Sequence, residues 1–199
     1  MKDEEVLEIF NKLKNEATDM HYRWSLYREV FAGGAEQIEL LNLSGSNFFY
    51  YVQHMMLDQM ALSFSKLTDP NQTRVRKQLV ENLSLKQMHA YASKTNNTEL
   101  LGLIVPVYDE LSDNCEKFRL LRNKRIAHGD LEHAMHLAEK PLPGISRAYV
   151  ETALEILRRY LNIIELHYFD SETAYDALIA PEGSGGTRLI EVLRMANNA

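Results

Sequence analysis

Near the middle of the chain, Arg122, Arg125 and His128 combine residue types that can act on a phosphodiester. A guanidinium grips two phosphoryl oxygens at once and stabilises charge that develops on them. Histidine ordinarily titrates near neutrality, so His128 can give or take a proton there. The arginines also occupy unexpected positions. Leu101, Ile104, Tyr108, Leu111, Cys115 and Phe118 mark an apolar stripe at helical spacing, and the same spacing then lands on Arg122 and Arg125. Arginine cannot shed its charge, so a partly buried guanidinium needs an anion beside it. A carboxylate from another helix, such as Asp58 or Glu165, meets that need, and so does a phosphate. Lys117, Arg119, Arg122, Lys124 and Arg125 place five cations in nine residues. A solvated basic face near a helix C-terminus explains such a run. His128, where the helix should stop, adds the chemical reading.

Helices must position these groups. Val6, Phe10, Leu13, Ala17, Met20, Trp24, Tyr27 and Phe31 recur at steps of four and three, which predicts a helix over about 3–31. Its stripe can pack in the chain's own bundle or against another chain. Gly33-Gly34 breaks it. Ser44-Gly45-Ser46-Asn47 carries capping residues for a second helix reaching about Leu67, central in the bundle, and Asp69-Pro70 ends that helix. After a basic stretch of no assigned structure, Ser84 and Gln87 predict a capping box for a short helix. Thr95-Asn96-Asn97-Thr98 is a loop. The motif helix then starts at about Glu99 or Pro106 and ends near Ala127, with Gly129 as its stop. Residues 135–143 read as loop. Ser146 caps a return helix carrying Val150, Leu154, Leu157, Leu161, Ile164 and Tyr168, and Thr187 caps a short terminal one after the joint at 181–186. No period-two strand stands out.

The bulk composition narrows the class. A chain of 199 residues with 45% apolar and 25% charged residues suits one globular core. The net charge of -6 argues against a generally basic nucleic-acid coat protein, though a local basic site is compatible with it. One cysteine, Cys115, rules out an intrachain disulfide and fits a cytoplasmic setting. The acidic start is unlike a signal peptide, and no window has the run of about 18 apolar residues that a membrane span needs.

Arg122-Asn123, four residues, then His128 resembles the Arg-x(4–6)-His signature of the HEPN superfamily. The string from Leu121 to Asp130 is similar to that segment in AbiU-type abortive-infection proteins, and the order of helices agrees. The resemblance covers about residues 44–170. It implies an all-α fold: a HEPN-like four-helix bundle core, with an added N-terminal helix (1–33) and a short helical tail (171–199), in one domain over 1–199. It also implies a metal-independent endoribonuclease of a toxin–antitoxin or phage-defence system, needing no cofactor. Arg122 would stabilise the phosphorane, His128 would act as general acid or base, Asn123 would orient the phosphate or the histidine, and Asp130 would fix the imidazole. Lys117, Arg119, Lys124 and Arg125 are the expected RNA-binding cations. On a continuous helix six residues turn roughly 600°, so Arg122 and His128 would not share a face. Either the helix relaxes before His128, or a homodimer completes the site. RNA, a second copy, and an antitoxin or nucleotidyltransferase are the partners this reading anticipates; a membrane is not.

Other signals are read plainly. His128, Asp130, His133 and His136 crowd together but match no zinc spacing. His54 and Asp58 suit a core hydrogen bond. Gly183-Ser184-Gly185-Gly186 lacks the lysine of a phosphate-binding loop. Cys115 suits an inert buried thiol. Tyr50-Tyr51 offer stacking surfaces for bases, yet their helical spacing reads first as core. The alternative to a ribonuclease is a non-catalytic helical module that binds a protein or nucleotide, which the acidic net charge favours.

Overall fold

The computed structural model describes residues 2–127, 130–135, 142–177, 181 and 183–197. Among them are eight α-helices and one two-stranded hairpin, so the chain is all-α. No helix among the described residues is long and apolar enough to cross a membrane.

Helix α1 (Lys2–Phe31) buries its whole predicted stripe, Val6 through Phe31, inside the chain's own bundle. It packs against α2 (Ala35–Leu67), α3 (Lys86–Lys94), α7 (Arg147–Phe169) and α8 (Gly186–Asn197). The turn from α1 to α2 is tight. Gln37 folds back so that its Nε2 donates to Glu29 O at 2.7 Å and Val30 O at 2.8 Å, satisfying carbonyls that a helix end leaves open. A Cβ on Gly33 would sit 2.1 Å from Gln37 Oε1, so a larger residue there would push the Gln37 amide off these carbonyls.

Helix α2 extends ten residues further toward the N-terminus than the sequence predicts, as two helical runs joined across a kink at the predicted boundary, where Gly45 has φ 158°, ψ 68°. The Ser44 hydroxyl donates backward to Leu40 O at 2.8 Å instead of capping forward, a bond that bends helices. The second half of α2 is its most buried part: Met60, Ala61, Phe64 and Leu67 are buried, and Phe64 stacks on Phe118 with centroids 4.7 Å apart, while the first half contributes Leu41 and Phe49. Tyr50 and Tyr51 are exposed, contrary to their reading as core, because the buried face of α2 here runs through Phe49.

The basic stretch is a hairpin. β1 (Gln72–Val75) and β2 (Gln78–Glu81) pair antiparallel, with Gln72 opposite Glu81 and Val75 opposite Gln78. Every residue from 72 to 81 is exposed, so no buried face imposes the alternation by which strands are recognised. Arg76 and Lys77 form the turn with φ 47° and 73°. The capping box predicted before α3 does not form. Ser84 Oγ is buried without a hydrogen-bond partner, while Gln87 Nε2 donates to Asn71 O at 3.1 Å and Asn82 O at 2.9 Å, bracing the hairpin's foot.

Asn97 Oδ1 accepts from Leu100 N and caps α4 (Thr98–Asn114), which has Pro106 inside it, so the motif helix starts at the earlier of the two expected points. It is interrupted at Cys115 and resumes as α5 (Glu116–Leu121). A π-helical turn follows over Arg122–Ile126, then α6 (Leu131–Ala134). Ser146 caps α7 by accepting from Tyr149 N at 3.2 Å. α7 packs along α4 and closes the core with Val150, Leu154, Leu157, Tyr160, Leu161 and Ile164. The cap of α8 is not Thr187. Glu29 of α1 accepts from Gly186 N at 2.7 Å and Thr187 N at 3.2 Å, placing a carboxylate at the positive end of the helix.

Candidate functional site

The helix does relax at the motif. Ala127 N donates to Arg122 O at 2.8 Å, a five-residue step that widens the turn holding Arg122, Asn123, Lys124 and Arg125. Such π turns occur mostly singly and often at functional sites.

Arg125 reaches α2 itself, whereas Arg122 reaches Asp69, just beyond the helix's C-terminal end. Arg122 Nη1 donates to Asp69 Oδ1 at 2.9 Å and Oδ2 at 2.7 Å, and its Nε donates to Asn123 Oδ1 at 3.0 Å. The Arg122 and Asp69 side chains are 22% and 30% exposed. Arg125 pairs with Asp58, the partner its place on the stripe suggested. Asp58 lies about 13 Å, or nine residues of helical rise, before the end of α2 at Leu67, and Asp69 lies beyond that end, so the two guanidinia are held by separate carboxylates. Glu165, the other expected carboxylate, is buried and pairs with Lys14 and Thr173 instead.

The remaining cations are similarly engaged. Arg119 turns inward, with Nη1 donating to Thr68 Oγ1 at 3.1 Å and Nη2 to Ser112 O at 2.5 Å, and so ties α5 to the end of α2. Lys124 Nζ lies 2.7 Å from Asp130 Oδ2. Asp130 caps α6, its Oδ1 accepting from His133 N at 3.1 Å and lying 2.7 Å from His133 Nδ1. The Lys124 hydrogen bond, followed by those from His133, holds the Asp130 carboxyl well below the usual carboxylate range. The described imidazole beside Asp130 is therefore that of His133. Lys117 is exposed, with its ammonium 4.8 Å from the centre of the Tyr149 ring.

His128, together with Gly129 and His136, lies outside the described residues. Arg122 and Asn123 are thus the described part of the motif, and Asp69 joins them in the site. Of these, Asp69 was missed in the sequence, where Asp69-Pro70 signals only the end of a helix. His54 does not bond Asp58; its Nδ1 lies 2.8 Å from Tyr50 O. Cys115 is buried, and burial pushes its thiol up to about 12, which makes it a poor nucleophile.

No curated protein and no solved structure matches the chain. The family model HEPN AbiU2 matches residues 3–185, a span that takes in α1, the hairpin and the π turn together with the bundle. Helical architecture, an arginine held at a π turn, and this match over nearly the whole chain agree: the chain belongs to the AbiU2 family of HEPN proteins.

Proposed function

We propose that this chain is a metal-independent endoribonuclease of the toxin or phage-defence type, acting in the cytoplasm through Arg122, Asn123 and His128. The observation that carries the reading is the state of Arg122. Its Nη1 and Nε are fixed by Asp69 and Asn123, while Nη2 has no hydrogen-bond partner among the described residues. A guanidinium held rigidly with one donor edge left open is preorganised for a phosphoryl oxygen. The RNA 2′-oxygen would form a bond to the adjacent phosphorus as the bond to the 5′-oxygen breaks, leaving a 2′,3′-cyclic phosphate. One proton leaves the 2′-hydroxyl and another is delivered to the departing 5′-oxygen. His128 is the acid–base group, Arg122 stabilises the charged phosphorane, and Asn123 keeps Arg122 oriented. DNA lacks the 2′-hydroxyl and would not be cut.

Two proton transfers suit two histidines, one from each copy of a homodimer. An exposed line on α2 supports that assembly: Phe48, Tyr51 and Met55, at 65%, 65% and 60% exposure, recur at helical spacing and lead to the Asp58–Arg125 pair. An antitoxin or a nucleotidyltransferase is the further partner this reading anticipates.

A second reading, a non-catalytic binding module, is favoured by one observation. Arg119, Arg122, Lys124 and Arg125 already hold partners within the protein, so little free positive charge remains at the motif. Incubation of total RNA with purified protein in EDTA separates the two. The nuclease predicts cyclic-phosphate ends from wild type and none from Arg122→Ala or His128→Ala. Intact RNA from all three, with folded dimer verified, leaves the binding module.

A further inference from the structure

Apart from Lys117, the exposed cations of this region without an ion pair among the described residues lie on the hairpin and not on the motif helix. Arg74, Arg76 and Lys77 are exposed, and none has an ion pair or hydrogen bond among the described residues. Residues 72–81 carry these three cations against one carboxylate, Glu81, in a chain of net charge -6. Charge of this kind, exposed and without an ion pair, is what a polyanion meets first.

The turn points the same way. Both of its residues have left-handed backbone, φ 47° at Arg76 and 73° at Lys77. Two-residue turns of this kind strongly favour Asn-Gly, because any Cβ is disfavoured there. Here the most strained positions of the hairpin carry two long cations. Strain of this sort is retained where the surrounding function uses it.

The foot of the hairpin is anchored where the tip is free. Asn82 Nδ2 donates to Pro70 O at 2.8 Å and to Thr73 Oγ1 at 2.6 Å, and Asn82 N donates to Asn71 O at 2.8 Å. Gln87 braces the same loops from α3. That foot follows directly on Asp69, the carboxylate that holds Arg122, and a hollow of about 320 Å³ beside them is lined by Glu16, Lys66, Asp69, Glu81 and Asn82 among others, so the cations of the arm lie beyond it at the tip. The tip stands roughly 13 Å beyond the foot at the usual strand rise. The hairpin is therefore a rigidly footed arm, charged at its end, beside the motif.

Resting on the reading of this chain as acting on RNA, we propose that the β1–β2 hairpin is an RNA-binding arm. Arg74, Arg76 and Lys77 grip phosphates of the substrate strand away from the scissile position and lay the strand toward Arg122. The contacts are to the backbone, so the arm adds affinity without sequence preference.

The test uses the full chain carrying His128→Ala, and a fluorescein-labelled oligouridylate of roughly 20 nucleotides, read by anisotropy between about 50 and 200 mM salt. Single-stranded binding loses about 0.7 in log–log salt slope per phosphate contact, so Arg74→Ala/Arg76→Ala/Lys77→Ala should flatten the slope by about 2. Affinity at the low-salt end should fall by roughly tenfold or more. Arg74→Lys/Arg76→Lys, which keeps the charge, should bind like the parent. These side chains are exposed and unbonded, so circular dichroism should be the same for all variants. An unchanged slope and affinity in the alanine variant overturns the arm, as does a parent that binds no oligouridylate at low salt. Cleavage of total RNA in EDTA is scored in parallel with His128 restored. A hairpin effect on binding without cleavage sustains the arm and sinks the nuclease; cleavage with an unmoved slope does the reverse.

Discussion

Asp69→Asn isolates what the Arg122 pair does. The substitution keeps the shape and an acceptor oxygen but removes the negative charge facing Nη1, whose two bonds to Asp69 are 2.9 and 2.7 Å. A phosphate on the open edge of the guanidinium would lie about 6 Å from the Asp69 carboxylate. At that distance like charges repel by about 3 kcal/mol at an effective dielectric of 20, and by about 0.7 kcal/mol in bulk water. Removing the carboxylate should therefore tighten RNA binding by about three- to a hundredfold. Stability should move the other way, falling by about 1 kcal/mol, because the pair is only partly solvated. Anisotropy with labelled RNA in the His128→Ala background measures the first effect, and urea unfolding measures the second. RNA binding that is unchanged or weaker, in a protein that has lost stability as expected, would mean that Arg122 meets no phosphate, and the catalytic reading would go with it.

Three further outcomes follow from the fold. Glu29→Ala removes the cap shared by Gly186 N and Thr187 N and should loosen α8 by about 1 kcal/mol, seen as faster proteolysis of the tail. Gly186→Ala should do more, since its Cβ would lie 2.6 Å from Val30 Cγ2 and 2.8 Å from Glu29 Cβ; unchanged proteolysis in both variants would refute this docking. Arg76→Asn with Lys77→Gly should relieve the left-handed turn and slow exchange of the hairpin's ladder amides by about five- to thirtyfold, a gain of about 1–2 kcal/mol, while weakening RNA binding. Finally, burial lowers His21 and His89 from 6.5 to about 4. The unfolded chain takes up protons below about 6.5 that the folded chain refuses until about 4, so stability is flat above that window and falls as pH drops through it. Urea midpoints against pH check this, and His21→Phe should flatten the fall; a midpoint constant from pH 7 to about 4 would contradict it.

Long stripes with one buried face were legible in the sequence, because burial itself writes the period. α1 and α7 are the cases, and the Ser146 cap comes with its own chemistry. Where no face is buried, the period vanishes, which is why the hairpin at 72–81 could not be recognised; at Tyr50-Tyr51 the helical period was present, but the buried face runs through Phe49 instead. Ser44 and Ser84 show a different limit. Capping residues announce hydrogen-bonding capacity, but tertiary structure decides where it is used, and here Ser44 bonds backward while Gln87 braces a loop. At the site, the two arginines on the apolar stripe signalled a need for anions, and Asp58 was the right kind of partner for Arg125. The Arg122–Asp69 pair depends on how α2 and α5 cross, which no local pattern records.

The π turn has a consequence for the chain that follows it. Between Arg122 and Ala127 the helix carries one residue more than an α-helical turn would hold. Deleting a single residue within 123–126 would let ordinary α geometry close, yet it would rotate the direction of the onward chain by about 100°. α6, with the Asp130 cap that Lys124 secures, would then leave the surface of the bundle from a different bearing. The aim of everything beyond Ala127 is thus set by counting: a surplus of one residue acts as an angular shim, and its loss would be felt as misdirection in a protein whose helices all remain folded.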